Sequence, residues 1–329
     1  MRYLFLLLVL LSAPISATMA KDYRIATVAP AGDWVNRMEE GRDRIRELTN
    51  GRVVLKFRTG GIEGSDEQVL QKIRYGNLEG GAFSAGGLAR IYPGLNIYSI
   101  PLIFQSLDEV DYVRARLDGK ISAGLEEAGY VNLGFSEGGF SNLLSNEPVR
   151  GIEDLDGMKI WVPDDDIVSF RVLDALGLTP HPLGVESARS GISSGLVDVI
   201  AASPAVAVLL QWHPEVDYRT EFPISYSMGV FAMPVSVFYA MEPQDQEVVR
   251  TVIGEVMREI DSNSRRDNLG AIVEMERRDV ETVPVNPADI AGWRASIEAL
   301  YPELSQLDEI DSGLFAEMLD LLEEYRAAN

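Results

Sequence analysis

The sequence predicts an α/β protein of two lobes, and three observations lead to that prediction. The chain has 329 residues, more than one ordinary core of about 100–200 residues usually holds. From residue 23 onward, short apolar runs alternate with stretches of helical periodicity, which is typical of a mostly parallel sheet covered by helices. A proline-free helical pattern from about 244 to 280 would span on the order of 50 Å at 1.5 Å rise per residue, enough to strap two lobes together.

The N-terminus has the pattern of a secretory signal peptide. Arg2 precedes an uninterrupted apolar run at 4–11, and small residues follow up to Ala20. The run is well short of the roughly 20 residues that span a bilayer, so residues 1–20 are expected to be cleaved, leaving a mature chain from Lys21. An exported chain without cysteine forms no disulfide framework, and this combination indicates a Gram-negative periplasm.

The first part of the mature chain reads as strand, helix, strand, helix. A strand is predicted at 23–28, and Asp33 is predicted to cap a helix that ends at Asn50-Gly51. The next strand, 53–57, leads through a glycine-rich turn to a second helix at about 66–75, which Gly76 stops. In sheets built this way, ligands bind beyond the carboxyl ends of the strands, so the loops after the strands are the expected functional region.

The alternation resumes further along the chain and predicts a second lobe. Strands are expected at 131–135, 158–162 and 197–201. One helix is expected to begin at Asp164-Asp165-Asp166, and another to run through Leu209-Leu210. Residues 234–241 read as another strand before the long helical pattern. The alternative to one long helix is two helices broken near 262–264, and the pattern alone leaves both open.

Charge and motif content exclude several functions. The chain carries 29 basic and 51 acidic residues, a net charge of −22 that repels nucleic acid and anionic lipid surfaces. There are two histidines, His181 and His213, and no zinc, P-loop or dinucleotide motif, so neither metal nor cofactor is expected. Ser84 lies in a segment that lacks the first glycine of a nucleophile elbow. The chain is therefore predicted to be a binding protein and not an enzyme.

Several segments resemble the solute-binding proteins of TRAP transporters, the DctP-like family. They are 29–34, Gly60-Gly61 with Gly64, 80–88, 101–104, 154–163, 175–177 and 195–198. The resemblance covers essentially the whole mature chain and implies a periplasmic-binding-protein-like fold with a ligand cleft between two lobes and a long helix along the hinge. It implies lobe I at 21–140 plus 228–265, and lobe II at 141–227 plus 266–329. It also implies a receptor that delivers a small ligand to the small and large TRAP membrane subunits.

Two departures from the family pattern concern the ligand. Family members that bind organic acids carry an arginine that clamps the ligand carboxylate, and here Trp161 stands at that position. A second frequent arginine, after a Gly-Phe pair, is replaced by Ser141. A later family segment rich in polar donors is apolar here, at 199–202. Because a charge-assisted pair is worth about 1.5–3 kcal/mol, the chain is expected to bind poorly to simple dicarboxylates and sialic acid.

The predicted ligand is therefore neutral and aromatic or hydrophobic, with a cationic ligand as the second choice because tryptophan faces attract cations. Aromatic side chains expected around it include Phe104, for which core packing is the alternative. The residues expected to contact the ligand are Trp34, Phe83, Ser84, Ser141, Trp161, Ala202, Ser203 and Trp212. One aspartate of 164–166 could reach a ligand amine, although these residues suit helix capping. Arg171 could act as a relocated clamp, although pairing with a surface carboxylate is preferred. His213 could contact the ligand, although a structural role at a helix end is preferred.

Two other functions remain open at this level. The cleft could have lost transport and instead dock a periplasmic partner, for example a helical-repeat protein of the kind encoded beside some TRAP systems. The chain could also be an exported hydrolase, for which the sequence offers no recognisable catalytic set.

Overall fold

The computed structural model describes residues 20–29, 32–164 and 166–329. The predicted signal peptide lies outside these residues except for Ala20, and Asp165 of the expected capping group is also outside them. Among the described residues, no helix combines the length and the apolar character that a membrane span requires.

Ten strands form a mixed sheet in the described part of the chain. They are β1 (Lys21–Thr27), β2 (Val53–Arg58), β3 (Gly80–Ser84), β4 (Tyr130–Ser145), β5 (Lys159–Pro163), β6 (Thr179–Leu183), β7 (Val199–Ala202), β8 (Tyr218–Thr220), β9 (Ser225–Pro234) and β10 (Glu281–Val283). The order is β2-β1-β3-β9-β4-β7-β5-β6, with β8 beside β4 and β10 beside β8. The α/β class predicted from the alternation is confirmed.

Twelve α-helices cover this sheet among the described residues. They are α1 (Asp33–Leu48), α2 (Asp66–Arg74), α3 (Ala85–Ala89), α4 (Leu107–Glu127), α5 (Ile167–Ala175), α6 (Val185–Ser193), α7 (Pro204–Leu209), α8 (Val235–Phe238), α9 (Pro243–Arg277), α10 (Pro287–Glu298), α11 (Tyr301–Leu304) and α12 (Ser312–Ala328). Short 3-10 helices lie at Pro93–Ser99, Ile152–Leu155 and His213–Glu215.

The long strands β4 and β9 join two groups of parallel strands. β1 pairs in parallel with β2 and β3, and β5 pairs in parallel with β6 and β7, whereas β4 is antiparallel to β9, β7 and β8. The first part of β4 runs beside β9 and its last residues run beside β7. A register shift between Glu137 and Gly139 interrupts this path, and Gly139 takes a positive φ of 87° there. Such a bulge bends a strand, so β4 turns as it passes from one group to the other.

A single helix, α9, runs along both groups of strands. It has 35 residues without a break, so the alternative of two helices near 262–264 does not apply. Val252 and Met257 of its first half are buried with Ile25 of β1, while Met275 near its end is buried with Trp161 of β5. Packing at both ends explains why a helix of low overall hydropathy stays continuous.

Two local predictions were wrong. Asp33 is the first residue of α1 and not its cap; the cap position is Gly32, and the Asp33 carboxylate pairs instead with Arg37 one turn later. Residues 234–241 are not a strand, because the alternating burial that marks β9 ends at Pro234, which has no N–H to continue a ladder. The short helix α8 follows directly.

The C-terminal helix α12 packs against α4, which lies in the segment expected for lobe I. Lys120 pairs with Glu317, and the Arg326 guanidinium donates to Glu109 and to the carbonyl oxygen of Ile103. The proposed division of the chain into 21–140 plus 228–265 and 141–227 plus 266–329 stays a proposal. On packing grounds, α12 belongs with the first part.

Candidate functional site

A cavity of about 290 Å³ opens where the carboxyl ends of β3, β5 and β7 meet the crossing strands β4 and β9. Ser84, Ser99 and Pro101 contribute from the part of the chain expected for lobe I, and the other lining residues come from the second part. The cavity is about twice the size of an apolar cavity known to hold benzene. It therefore has room for a ligand of two fused rings or a comparable chain.

Most of the cavity wall is aliphatic or aromatic. Its apolar residues are Pro101, Leu143, Ile152, Leu155, Ile160, Trp161, Val162, Pro163, Val172, Leu173, Leu176, Leu178, Val185, Ala201, Ala202, Val206, Trp212, Ile224, Trp293 and Ile297. The polar ones are Ser84, Ser99, Ser141, Asp166, Ser169, Ser203, Ser225, Tyr226 and Ser227. Among the described residues that line it, none is a lysine, arginine or histidine.

Trp161 and Trp212 form an aromatic corner of the cavity. Their rings meet edge to face, with 5.2 Å between centroids and an interplanar angle of 77°. The Trp161 Nε1 donates to the carbonyl oxygen of Leu183 at 2.9 Å, which fixes the ring and uses its one polar hydrogen. Gln211 takes a left-handed conformation, φ 57°, and lets the Trp212 N–H return to the Ala207 carbonyl oxygen at 2.8 Å. Contacts within the protein thus hold both rings in place.

Ser141 and Ser225 face each other across the pairing of β4 with β9. They are register partners in the antiparallel ladder, so their side chains lie on the same face of the sheet within about 5.5 Å. Both line the cavity. Ser141 occupies one of the positions at which the resemblance places a ligand-binding arginine. The pair offers hydroxyl groups there, which can bond a neutral polar group without carrying charge.

Ser84 and Ser203 serve as helix caps at the edge of the cavity. The Ser203 Oγ accepts from the Val206 N–H at 3.4 Å and caps α7. The Ser84 Oγ accepts from the Gly87 N–H at 2.9 Å and donates to Asp66 Oδ2 at 2.8 Å. Burial raises the pKa of Asp66, although its bonds to Ser84 oppose this change. Each hydroxyl keeps limited capacity for a ligand after these bonds.

Asp166 is the one ionisable carboxylate among the described lining residues. It caps α5 by accepting from the Ser169 N–H at 2.9 Å. Burial raises its pKa, and bonds with Ser169 oppose that rise. No basic side chain accompanies it among the described residues of the cavity wall.

Two arginines in this region form ion pairs with acidic side chains. Arg114 donates to the hydroxyl of Tyr226, a cavity residue, and forms ion pairs with Asp118 and Asp261, each at 3.1 Å. Arg265 pairs with Asp111 and Glu137. Arg171, considered above as a relocated clamp, is exposed and does not line the cavity.

Six of the eight expected contact residues line the cavity, and two do not. Phe83 and Ser84 are adjacent on a strand, so their side chains point to opposite faces; Ser84 reaches the cavity and Phe83, 3% exposed, joins the core. Trp34 packs from α1 against the cluster around Met38. Phe104 is also core, in contact with Tyr98 and Tyr226. His213 is buried with its Nδ1 3.2 Å from the Ala207 carbonyl oxygen, a structural role.

The sequence reading missed the walls formed by α5 and α10. Leu173 and Leu176 line the cavity from the end of α5, and Trp293 and Ile297 line it from α10, near the C-terminus. The helical spacing of Trp293 and Ile297 marks one face of a helix, which was a usable signal. That spacing does not indicate that the face lines a cavity together with β5, more than 100 residues away in the chain.

Comparisons with known proteins give one family. The family model described as "Bacterial extracellular solute-binding protein, family 7" matches residues 26–307. A solute-binding protein of Chromohalobacter salexigens is 26% identical over 197 residues, 55% of this chain and 57% of that one. The C4-dicarboxylate-binding periplasmic protein DctP of Vibrio cholerae is 20% identical over 156 residues, 47% of each chain. The chain thus spans about half the length of these curated relatives.

Solved structures match over nearly the whole chain. A TRAP periplasmic solute-binding protein from Ralstonia eutropha with bound (S)-2-acetolactate has a TM-score of 0.84 at 22% identity, covering 92% of this chain and 99% of that one. The sugar acid binding protein DctPAm from Advenella mimigardefordensis, in complex with galactonate, has a TM-score of 0.85 at 18% identity, covering 92% and 98%. At this identity the likeness establishes a shared two-lobe fold.

Proposed function

Because the chain belongs to bacterial extracellular solute-binding protein family 7, a family of receptors and not of enzymes, we propose that it is a periplasmic solute receptor with an uncharged ligand. It captures a small neutral, aromatic or hydrophobic molecule between the lobes by hinge closure and delivers it to the small and large membrane subunits of a TRAP-type transporter. Closure around a ligand is the usual motion of two-lobe binding proteins.

The observation that carries the choice of ligand is the composition of the cavity wall. Among its described residues, the wall contains no basic side chain and one carboxyl group, Asp166. A carboxylate transferred from water into this cavity would lose its hydration without gaining a cation. An apolar or aromatic molecule would instead gain contact with the two tryptophans and the aliphatic side chains of α5.

Relatives of similar fold take a different kind of ligand. Three of the matched structures contain beta-D-galacturonate, (S)-2-acetolactate and galactonate, each of which carries a carboxylate. In this chain the two positions that the resemblance assigns to arginines hold Ser141 and Trp161, and both line the cavity. The same fold and cleft therefore support a ligand that lacks the carboxylate.

A cationic ligand is the second candidate, and Asp166 is the observation that favours it. Its carboxyl group lines the cavity and could pair with an amine. Burial raises the pKa of this group, which favours its uncharged form and weakens that pairing. The neutral ligand is therefore preferred. The alternative of a protein that docks a helical-repeat partner gains no support from the described residues or the relatives.

A pair of probes with the same ring system, one uncharged and one anionic, tests this proposal. 2-Naphthylmethanol and 2-naphthoate have nearly the same size, and calorimetry on the mature protein compares their affinities. We expect the alcohol to bind at least tenfold more tightly, since only the carboxylate meets an uncompensated desolvation cost. Tighter binding of 2-naphthoate would overturn the assignment of an uncharged ligand.

A further inference from the structure

Polar and apolar side chains occupy different ends of the cavity along two of its elements, and the first of these is β4. Ser141 and Leu143 both line the cavity from one face of this strand, because alternate residues share a face. Ser141 is opposite Ser225 of β9, whereas Leu143 is opposite Ala201 of β7. A step of about 7 Å along the strand therefore takes the wall from a pair of hydroxyl groups to a pair of aliphatic side chains.

The helix α5 repeats this order. One face of the helix and its two caps contributes five residues to the cavity wall, at the spacing of three and four that places side chains together: Asp166, Ser169, Val172, Leu173 and Leu176. The polar residues are at the start of the helix and the aliphatic ones are in its later turns. Asp166 and Leu176 are about 15 Å apart along the helix at 1.5 Å rise per residue. The cavity wall thus changes from polar to apolar over a distance longer than one ring.

The polar end of the cavity lies beside the first part of the chain. Ile224, the residue before Ser225, accepts at its carbonyl oxygen from the Leu102 N–H at 2.7 Å. Leu102 follows Ser99 and Pro101, which line the cavity from that part of the chain. The end of the cavity with the hydroxyl groups therefore faces the place where the two parts of the chain meet.

The apolar end of the cavity lies at the opposite end of β5. Leu178 lines the cavity just before β6, and the first residue of β6 pairs with the first residue of β5. The helix α5, in contrast, starts after the last residue of β5. Trp293 and Ile297 of α10 add to the apolar wall and are buried in the same core cluster as Val172. A group that passes the serines therefore enters an aliphatic and aromatic enclosure.

We propose that the ligand is an elongated neutral amphiphile, with a hydroxyl-bearing head at Ser141 and Ser225 and an unbranched aliphatic tail of medium length beside α5 and α10. The assignment rests on the proposed function, because it concerns the same cavity. A polar group at the tail end would lose its hydration among leucines without gaining a hydrogen bond. The head is uncharged, since no basic side chain is among the described lining residues. A medium-chain alcohol is the simplest member of this class.

Two isomeric alcohols test the orientation of the ligand. 1-Octanol can place its hydroxyl at Ser141 and extend its whole chain toward Leu176, whereas 4-octanol carries the hydroxyl in the middle of the chain. Calorimetry on the mature protein should give at least fivefold tighter binding of 1-octanol. Ser141→Ala should weaken 1-octanol about three- to tenfold, as expected for one hydrogen bond, and weaken 4-octanol less. Equal affinities of the two isomers for the native chain would overturn the assignment.

Chain length tests the position of the tail. From 1-hexanol to 1-octanol, each added methylene should tighten binding about three- to fourfold. Leu173→Ala enlarges the apolar end, so the affinity of 1-decanol relative to 1-octanol should rise at least threefold over its value in the native chain. A general loss of stability would weaken both alcohols alike. Leu48→Ala, 51% exposed at the end of α1, is the control and should keep the native ratio. An unchanged ratio in Leu173→Ala would contradict a tail at α5.

Comparison with the naphthyl probes separates this inference from the proposed function. If 2-naphthylmethanol binds and 1-octanol does not, the ligand is compact and the amphiphile is wrong, while an uncharged ligand stands. If octanoate binds more tightly than 1-octanol, or if neither uncharged probe binds, the proposed function fails and this inference fails with it.

Discussion

The ring of Trp161 meets the ring of Trp212 edge to face, 5.2 Å between centroids, while the Trp161 N–H donates to the carbonyl oxygen of Leu183. This arrangement turns a position at which related receptors are expected to hold a charged clamp into a rigid apolar corner. Aromatic pairs of this geometry contribute about 0.5–1.5 kcal/mol beyond the area they bury. The corner therefore favours the folded receptor as well as an aromatic ligand.

Replacing Trp161 by arginine should reverse the preference of the cavity for uncharged probes. Trp161→Arg removes the aromatic corner and the bond to Leu183 and places a cation at a buried position, 4% exposed in the native chain. We expect calorimetry to show at least tenfold weaker binding of 2-acetylnaphthalene and measurable binding of D-galacturonate. The matched variant Trp161→Phe, which keeps the site uncharged, should weaken 2-acetylnaphthalene less and bind no galacturonate. Unchanged 2-acetylnaphthalene affinity in Trp161→Arg would place the residue outside the site.

The contribution of Asp166 to the free energy of unfolding should decrease as the pH rises. The variant Asp166→Asn should lack this pH dependence. Burial raises the pKa of Asp166 in the folded state. The unfolded chain ionises first as pH rises above about 3.9, so this group's contribution is full below that pH and is lost as pH climbs through the folded-state pKa. Asparagine caps a helix about as well but cannot ionise.

Urea unfolding of both proteins between pH 3.5 and pH 7 measures this effect. The free energy of unfolding of Asp166→Asn, relative to the native chain, should increase steadily as the pH rises. A difference that stays constant or shrinks over this range would show that the carboxyl group is not penalised by burial.

Two neighbouring glycines provide a matched pair at the Ser84 edge of the cavity. A Cβ added at Gly87 would lie 2.2 Å from Asp66 Oδ2, the atom that accepts from Ser84, whereas a Cβ at Gly86 meets nothing within 4 Å. Gly87→Ala should therefore cost about 1–3 kcal/mol in the free energy of unfolding, because the Asp66 side chain must move. Gly86→Ala should be neutral or stabilising by up to about 1 kcal/mol. Equal free energies of unfolding for the two variants, measured in urea, would show that Asp66 does not crowd position 87.

Asn268 connects α9 to the strand β4 and to the helix α7. Its Nδ2 donates to the Gly138 carbonyl oxygen at 3.2 Å beside the bulge in β4, and its Oδ1 accepts from the Ala205 N–H at 3.0 Å in α7. Asn268→Ala should lower the free energy of unfolding by about 1–2 kcal/mol, since two part-buried backbone groups lose a partner. Asn263→Ala, five residues earlier on the same helix, serves as the control and should change stability by less than about 0.5 kcal/mol. A loss of the same size in both variants would remove the special role of Asn268.

Much of this molecule follows from local signals in the sequence. Alternating strand and helix patterns located β1 to α2 within one or two residues. The proline-free pattern from 244 to 280 located α9 but left open whether it is one helix or two, and the structure shows one. The spacing of the family pattern brought Ser141 and Trp161 into one site. In each case a few consecutive residues carry the information, through side-chain periodicity or turn chemistry.

The remainder depends on contacts that no short segment encodes. Phe83 was expected in the cavity as one of its aromatic side chains, yet strand alternation sends it to the core. Trp34 was also expected there, and it packs against the cluster around Met38. Trp293 was missed because its place in the wall depends on how α10 returns to β5 and α5 from far along the chain.

The identity of the molecule that the receptor retains on purification from its native host tests the central claim most directly. The protein is isolated without denaturant, its ligand is released by acid or organic solvent, and mass spectrometry determines the composition of what was bound. The cavity wall predicts a compound with an aromatic or aliphatic body and without a carboxylate. Recovery of a sugar acid or a small dicarboxylate in stoichiometric amount would contradict it.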